Sequence, residues 1–278
     1  MLFLINNNFL RNKEMNFNIV HKIKSKLHSL PTFVLMLLML GLFSIECLAK
    51  PRPQELQEEI KITDKCNEID NNYKDLKVGN VIEFGCYIQN DITSRTPIKW
   101  RVLEVKDGKA LLISELLLDV HPYYNKGFKE ITWENSSIRH WLNNEFINEA
   151  FTQSEQNKIN LTSIYNNINN AKYGTQGGNN TQDKIFLLSL IEVYKYLPNA
   201  KQRAIKVTEY AKKRGAWVCD YNDCKVRGSY GNGIWWLRSP GSFQDRAEHV
   251  GSRGDVFDDG YPVPYNDCAV RPALYINL

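Results

Sequence analysis

The chain lacks any excess of charge once its first 49 residues are set aside. It carries 35 Lys+Arg against 31 Asp+Glu. Arg11, Lys13, Lys22, Lys24 and Lys26, opposed by Glu14 and Glu46, belong to the leading stretch, which leaves 30 bases and 29 acids in the remaining 229 residues. Without a clustered positive field there is no electrostatic case for nucleic acid. A membrane-length apolar run is also missing: Phe33 to Ile45 has 13 residues, against roughly 20 for a spanning helix. Catalytic signatures are missing too. There is no Gly-x-Ser-x-Gly elbow, no His-Glu-x-x-His helix and no dinucleotide-binding glycine fingerprint. Cys219 and Cys224 have four residues between them rather than two and no His nearby, so zinc spacing is absent and no metal is assigned. The Asn/Gly-rich stretch from Asn166 to Gln182 is followed by neither the lysine nor the helix start of a phosphate-binding loop. No cofactor follows from any motif.

What is present begins with an export signal. Lys22, Lys24 and Lys26 precede the apolar run, and Cys47-Leu48-Ala49 supplies small residues around a cut, which is the grammar of a signal peptide over residues 1–49. Met15 can serve as the start. An uncleaved anchor and a lipoprotein modified at Cys47 are the alternatives, although Glu46 sits where a lipoprotein signal wants a small residue. Residues 50–77 are polar, with Pro51 and Pro53, and read as a tether. Residues 78–278 read as a single domain, reached by the membrane only through the signal segment.

Export changes how the cysteines read. Cys66, Cys86, Cys219, Cys224 and Cys268 follow the signal, an odd number, so two bridges and one free thiol are expected in an oxidising compartment. Cys219 and Cys224 would close a small loop.

Along the domain the elements alternate irregularly. Val81 to Ile88 and Ile98 to Val105 read as strands, and Asp107-Gly108 is a hairpin turn leading to a strand from Lys109 to Ser114. Ser136-Ser137 can cap a helix from Ile138 to Glu149. Shorter helices are expected over Ser154 to Asn160, Ser189 to Leu197 and Thr208 to Arg214, with a strand over Lys184 to Leu188. Strand and turn signals dominate from Ile234, and Ala269 to Ile276 reads as one closing strand. Pro272 inside it calls for an edge or bulge, with Arg271 buried against acids. This is an α+β pattern, without the regular alternation of a parallel sheet. Tyr-Asn-Asp-Cys occurs at 221–224 and again at 265–268, too short a repeat to mark a duplication.

Six ordered blocks give the chain a resemblance. They are Gly79 to Gln89, Ala110 to Ser114, Ser137 to Phe146, Gly177 to Ser189, Trp235 to Gly241 (WWLRSPG) and Val270 to Ile276 (VRPALYI). In order and spacing they resemble the bacterial domain of unknown function 6273 from about Val78 to Leu278. The closing blocks are distantly similar to the C-type-lectin-like fold shared with formylglycine-generating enzymes. That resemblance implies a mixed sheet with flanking helices and long irregular loops, first and last strands side by side and the loops forming a binding face. It would bring Cys86 next to Cys268, giving the pairs Cys86–Cys268 and Cys219–Cys224 with Cys66 free. The paired calcium motif of lectins and the copper-binding cysteines of formylglycine generators have no counterpart here.

The candidate binding residues are Trp235, Trp236, Arg238, Ser239, Arg246 and Asp267. On a strand Trp235 and Trp236 face opposite ways, so at most one can form a platform for a sugar ring, with Arg238 bonding its substituents. The competing reading makes both tryptophans scaffold and pairs Arg238 with a carboxylate such as Asp255. Asp255, Asp258, Asp259 and Asp267 read either as calcium ligands or as a solvated loop. His140 and His249 show no partner in sequence. The expectation is a secreted, periplasmic or surface-exposed binding module for a glycan or cell-surface protein. The alternatives are an oxidoreductase like the formylglycine generators and a structural surface protein with no small ligand.

Overall fold

Alternating apolar residues and a two-residue turn build the first sheet. In the computed structural model, which describes residues 63, 64, 66, 73, 75–90, 93–166 and 172–278, a short β1 (Thr63–Asp64) precedes β2 (Val81–Ile88), β3 (Ser94–Lys106) and β4 (Lys109–Ser114). The signal segment and most of the tether lie outside the described residues. Among those described, no helix is long and apolar enough to cross a membrane. Asp107 (φ 50°) and Gly108 (φ 69°) both adopt the left-handed conformation that matches the twist of a tight hairpin. Trp100 is fully buried on β3, and its indole N–H donates to the Phe84 carbonyl at 2.6 Å, which removes the cost of burying that polar group.

The chain is mixed α+β. The first sheet has six strands in the order β1-β3-β4-β13-β8, with β2 also pairing β3; here β8 is Ile185–Phe186 and β13 is Ala273–Asn277. A five-stranded sheet runs β11-β10-β9-β12-β5, from Val256–Pro262 (β11), Arg246–Val250 (β10), Trp235–Pro240 (β9), Ala269–Val270 (β12) and Asp119–Val120 (β5). A small third sheet pairs β6 (Thr162–Ile164) with β7 (Thr181–Asp183).

The closing strand is not one strand. It belongs to the second sheet at Ala269–Val270 and to the first at Ala273–Asn277, and Arg271-Pro272 is the crossing between them. Proline cannot donate to a ladder, so the ladder changes sheets there. Arg271 is buried but is not set against acids. Its Nε donates to the Ser114 carbonyl at 3.0 Å and its guanidinium lies 5.0 Å from the Trp235 ring centre. Burial lowers its pKa to about 9, against the opposing pull of Glu115.

The topology also corrects a cysteine pairing. β13 lies between β4 and β8, so β2 is separated from it by β3 and β4. Cys86, on β2, is bridged to Cys66 (Cα–Cα 6.1 Å), whereas Cys268 is buried and unpaired ahead of β12 in the other sheet. The Cys219–Cys224 bridge is present, with Cα–Cα 5.7 Å.

Helices are short, and several begin with a side-chain cap. Ser136 caps α1 (Ser137–Trp141) by accepting from the Arg139 N–H; a π-helical turn (Leu142–Phe146) and α2 (Ile147–Ala150) continue it. Thr152 and Glu155 form a capping box on α3 (Gln153–Lys158), and Ser189 and Glu192 form another on α4 (Leu190–Tyr196). α5 (Ala200–Arg203), α6 (Glu209–Lys213, capped by Thr208) and α7 (Asn222–Val226) follow. Their apolar sides join those of both large sheets in one buried cluster.

Candidate functional site

β9 carries most of the residues singled out in the sequence, and burial disposes of them as a platform. Trp235 and Trp236 are both 0% exposed. Each indole N–H is spent inside the protein, Trp235 on the Arg203 carbonyl at 3.0 Å and Trp236 on the His121 carbonyl at 2.9 Å. They do point to opposite faces of the strand, but both faces are covered. Neither tryptophan presents a ring to a ligand.

Arg238 is also scaffold, and its partner is Glu192 rather than Asp255. Its Nη2 donates to Glu192 Oε1 at 3.0 Å, its Nη1 to Glu192 Oε2 and to the Leu187 carbonyl, and its Nε to Asn166 Oδ1 at 3.2 Å. Burial alone would raise the Glu192 pKa, but the charge and hydrogen bonds of Arg238 outweigh it and the pKa is lowered. Ser239 accepts from the Leu190 N–H at 2.9 Å, tying β9 to the start of α4. Arg246, half-buried at the far end of β10, lies over Phe243. Asp255 instead pairs Arg253 at 3.5 Å, and Asp258 pairs Lys172 at 3.0 Å. Among the described residues no group of three His, Cys, Asp or Glu is placed to hold a metal ion.

The structure opens instead beyond the β10–β11 hairpin. His249 and Phe257 are direct cross-strand partners, and their rings stack at 4.8 Å with an 8° tilt, the kind of pair that fixes a hairpin's register. Gly251 turns the hairpin, and a Cβ there would sit 2.7 Å from the Phe257 ring, so the stacked pair requires glycine at that point. The Tyr261 ring continues the row 5.2 Å from His249, and Tyr265 lies 5.1 Å further on. Across from them the segment from Trp217 to Cys219 is held by the Asp267 carbonyl, which accepts from the Trp217 N–H at 2.8 Å, and by the Cys219–Cys224 bridge.

Trp217, Tyr221, His249, Phe257 and Tyr261 together line a cleft of about 450 Å³. The charges along it are internally matched. Arg227 pairs Asp223 at 2.7 Å, as Arg253 pairs Asp255. His249 is 8% exposed, its Nδ1 has no hydrogen-bond partner, and burial lowers its pKa to about 4 against a small opposing effect of Asp259. Asp267, the one sequence candidate at this end, anchors the cleft wall: its Oδ2 accepts from the Tyr261 hydroxyl at 3.1 Å, and burial followed by that carboxylate raises the tyrosine pKa. Phe257 and Tyr261 are not singled out in the sequence, and neither is Trp217. Trp217 belongs to no recognisable motif, and only its place beside Cys219 sets it apart.

A second cleft, of about 690 Å³, opens between the segment from His121 to Ile131 and the start of α1. Its wall is the His121 ring stacked on Trp141 at 3.9 Å. Behind His121, the buried Asp119 accepts from the Tyr87 hydroxyl at 2.6 Å and pairs with Arg214 at 2.7 Å.

A family model described as a domain of unknown function, DUF6273, matches residues 107–278, more than half of the chain. No curated protein matches, and no solved structure does.

Proposed function

The chain belongs to the DUF6273 family, and on that footing we propose that it is an exported binding module whose aromatic cleft takes a glycan. The observation that carries this reading is the cleft between Trp217 and the His249–Phe257–Tyr261 row. Aromatic faces stack on the apolar faces of sugar rings, and tyrosine and tryptophan add a polar handle. Paired rim charges suit a neutral, hydroxyl-rich ligand. The two bridges suit an oxidising compartment, so secretion or surface display is part of the proposal.

The test is oligosaccharide binding followed by tryptophan fluorescence and calorimetry. Trp217→Ala is expected to abolish binding with little change in thermal stability, because that ring is about one-third exposed. Trp235→Ala or Trp236→Ala should cost roughly 3–5 kcal/mol of stability as losses of a buried aromatic. Undiminished binding by a folded Trp217→Ala protein would move the site away from this cleft.

A further inference from the structure

We infer that the two clefts are the ends of one extended site for a linear glycan carrying acidic groups, its sugar faces on the aromatic row and its acid groups beside Lys126 and Lys129. This rests on the glycan reading above and adds the length and charge of the ligand. The link between the clefts is a continuous line of rings. Phe257, His249, Tyr261 and Tyr265 follow one another at 4.8, 5.2 and 5.1 Å, and Phe128 stands 6.2 Å beyond Tyr265; Phe257, Tyr265 and Phe128 are the exposed rings of the line, and the buried His249 joins them from beneath. Phe128 is 66% exposed and lies between Lys126 and Lys129, both of which line the second cleft.

The loop that carries Phe128 is tied at both ends to residues flanking β10 and β11. The Tyr124 N–H donates to the Val263 carbonyl at 2.9 Å and the Ile131 N–H to the Gln244 carbonyl at 3.0 Å. It therefore holds Phe128 beside Tyr265 as a fixed part of the row.

Charge distinguishes the two ends. In the first cleft each guanidinium has its own carboxylate, Arg227 with Asp223 and Arg253 with Asp255. In the second, Lys126 and Lys129 form no ion pair or hydrogen bond among the described residues, and the acid lining that cleft, Glu145, stands 3.7 Å from His140. Unpaired ammonium groups beside an aromatic wall favour an anion attached to a ring. A lysine is a point charge that does not choose between carboxylate and phosphodiester, so the ligand chemistry they share is a singly charged acid group on each repeat.

Titration at low salt tests this with four probes: a neutral hexasaccharide, an oligouronate hexamer of the same linkage, a hexamer of sugar rings joined through phosphodiesters and an oligouronate dimer. At least one acidic hexamer is expected to bind about five- to tenfold tighter than the neutral hexamer, as two solvent-exposed charge pairs allow. Whichever acid wins identifies its source. The preference should vanish in Lys126→Ala/Lys129→Ala and fade as salt rises, with neutral-hexamer affinity unchanged. Phe128→Ala should weaken the hexamers and leave the dimer alone. Equal affinity for neutral and acidic hexamers, or a preference that survives the double lysine variant, overturns the inference while Trp217-dependent binding of the neutral hexamer keeps the glycan reading intact. Failure of every oligosaccharide to bind overturns both.

Discussion

His249 sits between the Phe257 and Tyr261 rings with its Nδ1 buried and unpartnered. An orphaned buried N–H is rarer than an orphaned acceptor, so the ring hydrogen belongs on Nε2 and Nδ1 keeps its lone pair. This placement ties stability to pH. In the unfolded chain the imidazole takes up a proton near 6.5, whereas burial holds the folded value at about 4. Between those values the unfolded state binds the extra proton. The full stability is therefore present above pH 6.5 and is lost as pH falls towards 4, by about 3 kcal/mol. Denaturant midpoints at pH 7, 5.5 and 4 should show His249→Phe losing less stability than the wild type by that amount. Asp259 and the other titrating groups are common to both proteins and drop out of the difference. Parallel pH curves would mean that the ring is not held neutral by burial. None of this was legible around His249 itself, because the rings that enclose it come from across a hairpin.

The helix between Ser137 and Ala150 shows how an element departs from its sequence pattern. The apolar spacing of Ile138, Leu142 and Phe146 predicts one uninterrupted helix, and Ser136 does cap it. The middle nevertheless widens into a π turn over Leu142–Phe146. Side-chain amides supply a physical reason. Asn143 Nδ2 donates to the Arg139 carbonyl at 3.1 Å and Asn144 Nδ2 to the His140 carbonyl at 2.7 Å, each competing for an acceptor that a backbone N–H four residues on would use. Asn143 also latches the helix to β8: its Nδ2 donates to the Ile185 carbonyl at 2.8 Å, and its Oδ1 accepts from the Lys184 and Ile185 N–H groups. Asn143→Ala should cost about 2–3 kcal/mol in chemical denaturation, because it leaves partly buried backbone groups without partners. Asn143→Asp should recover part of this through its remaining acceptor. A loss below about 0.5 kcal/mol, ordinary for a surface position, would show that the latch is not made.

The legible elements were those whose signals are local. β2 and β4 fall at the residues their alternation predicts, and Ser136, Thr208 and Ser189 cap helices as their positions suggest. What stayed hidden depends on contacts between distant segments. Trp235 and Trp236 read as a possible platform because strand geometry puts one ring on each face, and nothing nearby in sequence says that both faces are covered. Arg238 could be assigned a carboxylate but not the right one, since Glu192 lies on a helix 46 positions earlier. Trp217 became a cleft wall only through Asp267, Cys219 and the hairpin opposite.

At the scale of the whole molecule, the two bridges hold very different lengths of chain. Cys66–Cys86 spans a sequence separation of 20 and fastens the stretch before the domain to β2, whereas Cys219–Cys224 spans 5 and stiffens the wall of the aromatic cleft. Loop-closure entropy grows with the logarithm of loop length, which gives roughly 3 kcal/mol for the first and about 2 kcal/mol for the second. Function divides the other way. Paired Cys66→Ser/Cys86→Ser should lower the denaturation midpoint more while leaving ligand affinity unchanged, since neither residue lines either of the two clefts described above. Paired Cys219→Ser/Cys224→Ser should lower it less but weaken ligand binding, because Cys219 lines the cleft beside Trp217. Cys268 has no bridge, and burial raises its thiol pKa well above the ordinary value, so alkylating reagents should reach it only after unfolding. Peptide mapping without reduction should therefore return Cys66–Cys86 and Cys219–Cys224, with Cys268 labelled in denaturant alone. A Cys86–Cys268 peptide would require β2 and the start of β12 to meet, and the sheet order derived above could not stand.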